Sequence, residues 1–137
     1  EWEFAARAGT STDYSFGNGV GELCEHGHVG GCPGDREVVS VTARRPNPWN
    51  LFGMHGNVWE WVHDVYDEDF YARSPAVDPD NEIAPGRAPG DVRRSMRGCS
   101  FNSSHAYCRS ANRDQQIASR RDQVYGFRCA KGARANP

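Results

Sequence analysis

The apolar residues of this chain are the wrong kind for an aliphatic core. Two leucines and two isoleucines stand against six phenylalanines, five tyrosines and four tryptophans. Any core must therefore rest on aromatic rings, each able to bury roughly 150–250 Å². Leu, Ile, Val and Phe together make 21 of 137 residues, a level that signals disorder only when net charge is high, and here it is −2. The length supports one domain. So small a core needs help from long polar loops, an ion, a disulfide or neighbouring sequence. Fifteen glycines and eight prolines point to a loop-rich fold. No run approaches the roughly 18 apolar residues of a membrane span. "EWEFAARAG" patterns as a helix closed by Gly9, with no N-cap before it, so the single domain over 1–137 is expected to lack upstream residues. Its compartment is not readable from this N-terminus.

Charge is unevenly placed. Residues 1–56 carry net −3, residues 57–91 net −7 and residues 92–137 net +8, and all but one of the sixteen cations are arginine. Two readings stand open. The basic third pairs with the acidic middle through planar guanidinium–carboxylate contacts, or it offers a basic surface to an anionic ligand. No nucleic-acid-binding motif is present, so nucleic acid is not expected as a partner. Among the five cysteines, Cys24 and Cys32 bracket His26 and His28 in "CEHGHVGGC". That spacing matches no standard zinc finger. A loop disulfide or free thiols suit it better than a metal.

Periodicity places few elements. "NVWEWVHDVY" alternates strictly, with Trp59, Trp61, His63 and Val65 on one face and Val58, Glu60, Val62 and Asp64 on the other, which predicts a strand. "VRRSMRGCSF", "CRSANR" and "YGFRCA" are read as three further strands, and "REVVSV" is patterned like another within the long loop over 17–50. "DYSFG" is a short strand or turn approach, and residues 67–91 form a polar, proline-rich excursion. The expectation is a small α+β fold whose long loops carry the function.

Taken in order, "EWEFAARAG", "YSFGN", "PNPWNLFGMHGNVWEWVHDVY", "RGCSF", "CRSANR" and "GFRCA" resemble the formylglycine-generating-enzyme, or sulfatase-modifying-factor, family. The resemblance implies a C-type-lectin-like fold, loop-rich, with short antiparallel strands and few helices. It also implies a calcium ion at the "GNVWEW" segment, held by the carbonyls of Gly56 and Val58 and the carboxylate of Glu60. Calcium takes six to eight oxygens, and glycine-rich turns present carbonyls well. This chain departs from the family at Gly53, where a side-chain ligand usually stands. The alternative is that Glu60 pairs with an arginine of the C-terminal third.

Catalytic members of the family oxidise a substrate cysteine with copper and oxygen. The resemblance implies two cysteines five positions apart after the "RG-x-S" strand. Cys108 is present, but Ser103 stands where the first would be. A hydroxyl does not replace a thiolate on soft Cu(I), so copper is not expected as a cofactor. Cys99 replaces a family glycine, nine positions before Cys108, and a disulfide between those two is the alternative. A second, iron-dependent branch draws its histidines from an upstream domain, and His26, His28, His55, His63 and His105 do not form that pattern.

A binding module remains. "NSSHAY" and "DQQIASRRDQVY" set polar and aromatic residues between scaffold-like "RGCSF", "RSANR" and "GFR". Ser103, Ser104, His105, Tyr107, Asn112, Asp114, Gln116, Arg121, Gln123 and Tyr125 are the candidate ligand-binding residues, rigid aromatics mixed with adaptable hydrogen-bonding groups. The expected partner is a protein. The segment is also similar to the variable region of diversity-generating retroelement proteins, whose AAC-type template codons yield Ser, His, Tyr, Asp, Arg, Ile or Val. They do not yield Gln, so Gln115, Gln116 and Gln123 would be unmutated or come from other codons.

Overall fold

The computed structural model describes residues 1–77, 79–82, 88 and 92–131. Its helices are α1 (Trp2–Arg7), α2 (Leu23–His26) and α3 (Phe70–Arg73). Its strands are β1 (Trp59–Val65), β2 (Arg93–Arg97), β3 (Asp114–Ile117) and β4 (Tyr125–Gly126), in the sheet order β3-β2-β1-β4. Part of the excursion expected over 67–91 lies outside the described residues; α3 falls within the part that is described.

The alternation of β1 gives the sheet two working faces. Trp59 and Trp61 join Met96, Tyr14, Leu23 and Val29 in one cluster, which also holds Cys32, Cys99 and Cys108. Val62 packs on the opposite side against a second cluster of Trp2, Ala6 and Met54. Register agrees with this division: Met96 faces Trp61 across the β1–β2 ladder, and Arg97 faces Glu60. Trp2 and Ala6 lie four apart on α1, so they stack on one face of that helix and bury it. The helix stops because Ala8 turns left-handed, φ 48°, one residue before the expected Gly9, and its N–H bonds Phe4 O.

Two glycines let the layers meet. Gly98 has φ +88°, and a Cβ there would lie 2.9 Å from the Trp2 ring. Gly56 has φ +90°, and a Cβ there would lie 2.1 Å from His28 O. Both positions are closed to any side chain.

Three expectations about strands are corrected. "REVVSV" is not a strand. Instead the Asn57 side chain serves it as a one-residue partner, accepting from Val39 N at 3.0 Å and donating to Val39 O at 3.2 Å. "CRSANR" is a turn: Ser110 N is drawn to Asp13 O and Asn112 N to Arg109 O, leaving no ladder. The third strand is the polar "DQQI" that follows, paired antiparallel with β2. Finally, β4 runs parallel to β1, with Trp59 opposite Tyr125, so the sheet is mixed rather than antiparallel.

Candidate functional site

The segment after β2 reverses sharply. Gly98 and then Cys99 are both left-handed, at φ +88° and φ +63°. A non-glycine residue in that conformation costs roughly 1–2 kcal/mol, which explains why glycine suits the position. Here Cys99 is bonded to Cys108, closing residues 99–108 into a ring with both cysteines fully buried. Cys24 and Cys32 form a second disulfide. Of the five cysteines only the exposed Cys129 is free.

The ring is fastened through its main chain. Gly30 N donates to Ser103 O at 2.9 Å, Tyr14 Oη to His105 O at 3.0 Å, and His55 Nδ1 to Cys108 O at 2.9 Å. Burial pushes the Tyr14 phenol above its usual range, against the opposing field of Arg109, so it remains a hydrogen-bond donor. Between these anchors Ser104, His105 and Tyr107 face solvent, Tyr107 at 53% exposure. Ser103 does not: its hydroxyl lies 2.8 Å from Ser100 Oγ and accepts from Ser100 N at 3.1 Å. Ser103 therefore serves the turn.

The other candidates lie along the sheet and the loop between β3 and β4. Gln116 Nε2 donates to Tyr125 Oη at 3.4 Å, and the Tyr125 ring sits edge-on to Trp61 at 5.6 Å. Arg121 and Gln123 are exposed on the loop between them. Asn112 and Asp114 are half-buried: the Asn112 main-chain O accepts from Arg97 Nη1 at 2.6 Å while its side-chain Nδ2 is buried with no hydrogen-bond partner among the described residues, and Asp114 Oδ1 accepts from Gln115 N at 2.7 Å. Of the ten candidates, the structure brings Gln116 and Tyr125 into contact, and among the described residues no hydrogen bond joins them to Ser104, His105 or Tyr107.

Glu60, Ser103 and Cys108 are each committed to protein partners. Glu60 is buried, and both its oxygens are taken. Oε2 accepts from Trp2 Nε1 at 2.5 Å and Arg128 Nε at 2.7 Å, and Oε1 accepts from Arg128 Nη2 at 2.6 Å. A bidentate guanidinium supplies the positive charge a calcium ion would bring. Arg128 Nη2 also donates to Phe52 O at 3.1 Å, close to the departure at Gly53. For copper, Ser103 and Cys108 do not converge on a shared position: one is hydrogen-bonded to Ser100 and the other shares its sulfur with Cys99. The set offers no thiolate pair for Cu(I).

His55 has a structural role that its motif does not announce. It is 2% exposed. Its Nδ1 faces the Cys108 carbonyl, which only accepts, and its Nε2 lies 3.2 Å from the Ser15 backbone N–H, which only donates, and 3.0 Å from Ser15 Oγ. The neutral Nδ1–H tautomer satisfies all of these contacts, with Nε2 accepting from Ser15. Burial foremost, against the hydrogen bond to Cys108 and with a lesser push from His26, lowers its pKa to about 4. "GMHGN" carries no local signal for this role, because the ring's partners come from distant segments at Ser15 and Cys108.

The C-terminal arginines divide between the two readings of the charge. Arg128 pairs with Glu60 of the acidic middle, Arg97 pairs with Glu3 at 2.5 Å, and Arg113 donates to the carbonyls of Asp67 and Glu68. Arg109, Arg120 and Arg121 are exposed.

Short strands in a mixed sheet, few helices and long loops carried on left-handed turns define a C-type-lectin-like domain. The chain belongs to the sulfatase-modifying-factor family: residues 1–133 match the sulfatase-modifying factor enzyme 1-like domain. It is 34% identical over 150 residues to a formylglycine-generating enzyme of Streptomyces coelicolor, covering 97% of this chain and 45% of that protein. It is also 34% identical over 131 residues to the serine/threonine-protein kinase pkn1 of Chlamydia pneumoniae, covering 96% of this chain and 20% of that one. Among solved structures, the Treponema denticola variable protein 1 is similar with TM-score 0.74 and 29% identity, over 93% of this chain and 43% of that one. PvdO from Pseudomonas aeruginosa is similar with TM-score 0.77 and 28% identity, over 92% and 48%. This chain spans less than half the length of each of these proteins.

Proposed function

We propose that this domain is a noncatalytic ligand-binding module whose partner is a protein, contacted through the ring of residues 99–108 and the segment from β3 to β4. One observation carries the reading. The ring is held by a buried disulfide and three main-chain carbonyls, while Ser104, His105 and Tyr107 project outward. Rigid backbone with adaptable polar and aromatic side chains is the arrangement recognition loops use. The similarity to a variable protein supports a finer form of the reading, in which these side chains are diversified by a retroelement.

The DNA around the coding region tests that finer form. A reverse transcriptase and an adenine-rich near-copy of codons 99–125 are the expected finding, and their absence leaves only the general binding module. The relatives that generate formylglycine set the rival. Incubation with Cu(I), oxygen and a cysteine-containing sulfatase-type peptide is expected to leave the peptide mass unchanged. An aldehyde product lost in Cys108→Ser would overturn the noncatalytic reading.

A further inference from the structure

Away from the ring, three side chains of metal-binding type meet. His63, Asp80 and Glu82 each offer one ligand atom, and the three atoms lie within 4.8 Å of one another. They come from two segments of chain. His63 stands on β1. Asn81 docks the second segment beside that strand: Val65 N donates to Asn81 O at 2.8 Å, and Asn81 Nδ2 donates to Val65 O at 2.7 Å. Asp80 and Glu82 flank this docked residue and so are held next to His63.

We propose that His63, Asp80 and Glu82 bind a divalent first-row transition metal, zinc foremost. The imidazole decides the class. A borderline cation accepts nitrogen and carboxylate together, whereas calcium and magnesium prefer an all-oxygen set. Distances are compatible. His63 Nε2 and Asp80 Oδ2 are 3.7 Å apart, and donors around a tetrahedral zinc at ~2.0–2.2 Å bonds stand roughly 3.3 Å apart. The pair needs to close by a few tenths of an ångström, and both side chains are exposed enough to do so, at 70% and 47%.

The surroundings favour a cation. Two carboxylates sit together, and among the described residues neither forms a salt bridge with an arginine. The nearby Arg94 donates instead to the His63 carbonyl. Three protein ligands leave at least one coordination position open. His63 and Asp80 also line a groove with Trp61, Val62, Phe70 and Tyr71.

The test is equilibrium dialysis of untagged protein against micromolar zinc, with bound metal counted by mass spectrometry. A Cys129→Ser background removes the exposed thiol. One zinc per chain is expected, with binding at least tenfold weaker in His63→Ala and in Asp80→Asn, and unchanged in His105→Ala. The exposure of His63 lets its variant fold, which circular dichroism checks. In the unsubstituted chain, zinc should shift the His63 Hε1 resonance before those of the other histidines. Uptake equal in His63→Ala, absence of uptake, or an unmoved His63 resonance at saturation would overturn the proposal.

Discussion

Acidification should destabilise this domain through His55 before most carboxylates titrate. In the folded state both ring nitrogens are committed, one to a carbonyl and one to a backbone N–H. A proton on Nε2 would oppose the Ser15 backbone N–H and keep only Ser15 Oγ as an acceptor. The folded pKa is pushed down to about 4 from the ordinary 6.5. A depressed folded pKa contributes stability that is fully present above 6.5 and is lost as pH falls from there towards 4. Between pH 7 and pH 5 the unfolded histidine becomes almost wholly protonated while the folded one stays neutral, a loss of about 1.8 kcal/mol. With an unfolding entropy of about 2.1 cal/mol/K per residue, that lowers Tm by about 6 °C in a chain of this size.

The assay is a set of thermal melts at pH 7, 6 and 5 for the parent and for His55→Gln, which carries no titrating group. The variant should start less stable, because it loses a packed ring, yet its pH dependence should be shallower by the amount given. Parallel pH dependence in the two proteins would refute the reasoning. If the variant does not fold, the His55 Hε1 resonance of the parent decides, since a titration midpoint near 6.5 contradicts an enforced neutral ring.

The remaining predictions concern the frame and the ring. Replacing Cys99 and Cys108 with alanine removes a closure of nine positions, and chain entropy predicts a loss of about 2.6 kcal/mol, read as a fall in Tm of about 9 °C. Arg128→Met should cost an amount at the low end of the roughly 3–5 kcal/mol expected for breaking a buried pair, because Arg128 is 34% exposed; adding Glu60→Gln should recover part of it in a denaturant melt. Melts in saturating calcium and in chelator should coincide, since Arg128 occupies the Glu60 carboxylate. Tyr107→Ala should change stability by less than about 0.5 kcal/mol, whereas Gly98→Ala should be strongly destabilising, because its new methyl meets the Trp2 ring.

How much was legible follows from which residues announce their surroundings. The alternation through Trp59 and Trp61 was plain, because two large apolar residues spaced by two leave one face for the core. β3 was missed: "DQQI" is a half-exposed edge strand with no apolar alternation, and its partner Met96 supplies the burial. β4 is two residues long, too short to carry any period. The strand-like "REVVSV" misled because Asn57 satisfies it from a side chain, and no propensity scale registers such a partner. At the candidate site the missing thiolate at Ser103 was visible in the letters. The inward turn of that same serine was not, since it depends on Ser100 and on Gly30 from another segment. An arginine partner for Glu60 was foreseeable from composition, but selecting Arg128 among ten cations required the parallel pairing of β4.

The contact of Trp2, Glu60 and Arg128 ties together three widely separated parts of the chain. As the polypeptide leaves the ribosome, the first two participants emerge long before the third. Until residue 128 is free, burying Glu60 would strand a carboxylate without its counter-charge. The nascent domain therefore gains little by closing its sheet early, and its consolidation should wait until Arg128 has emerged.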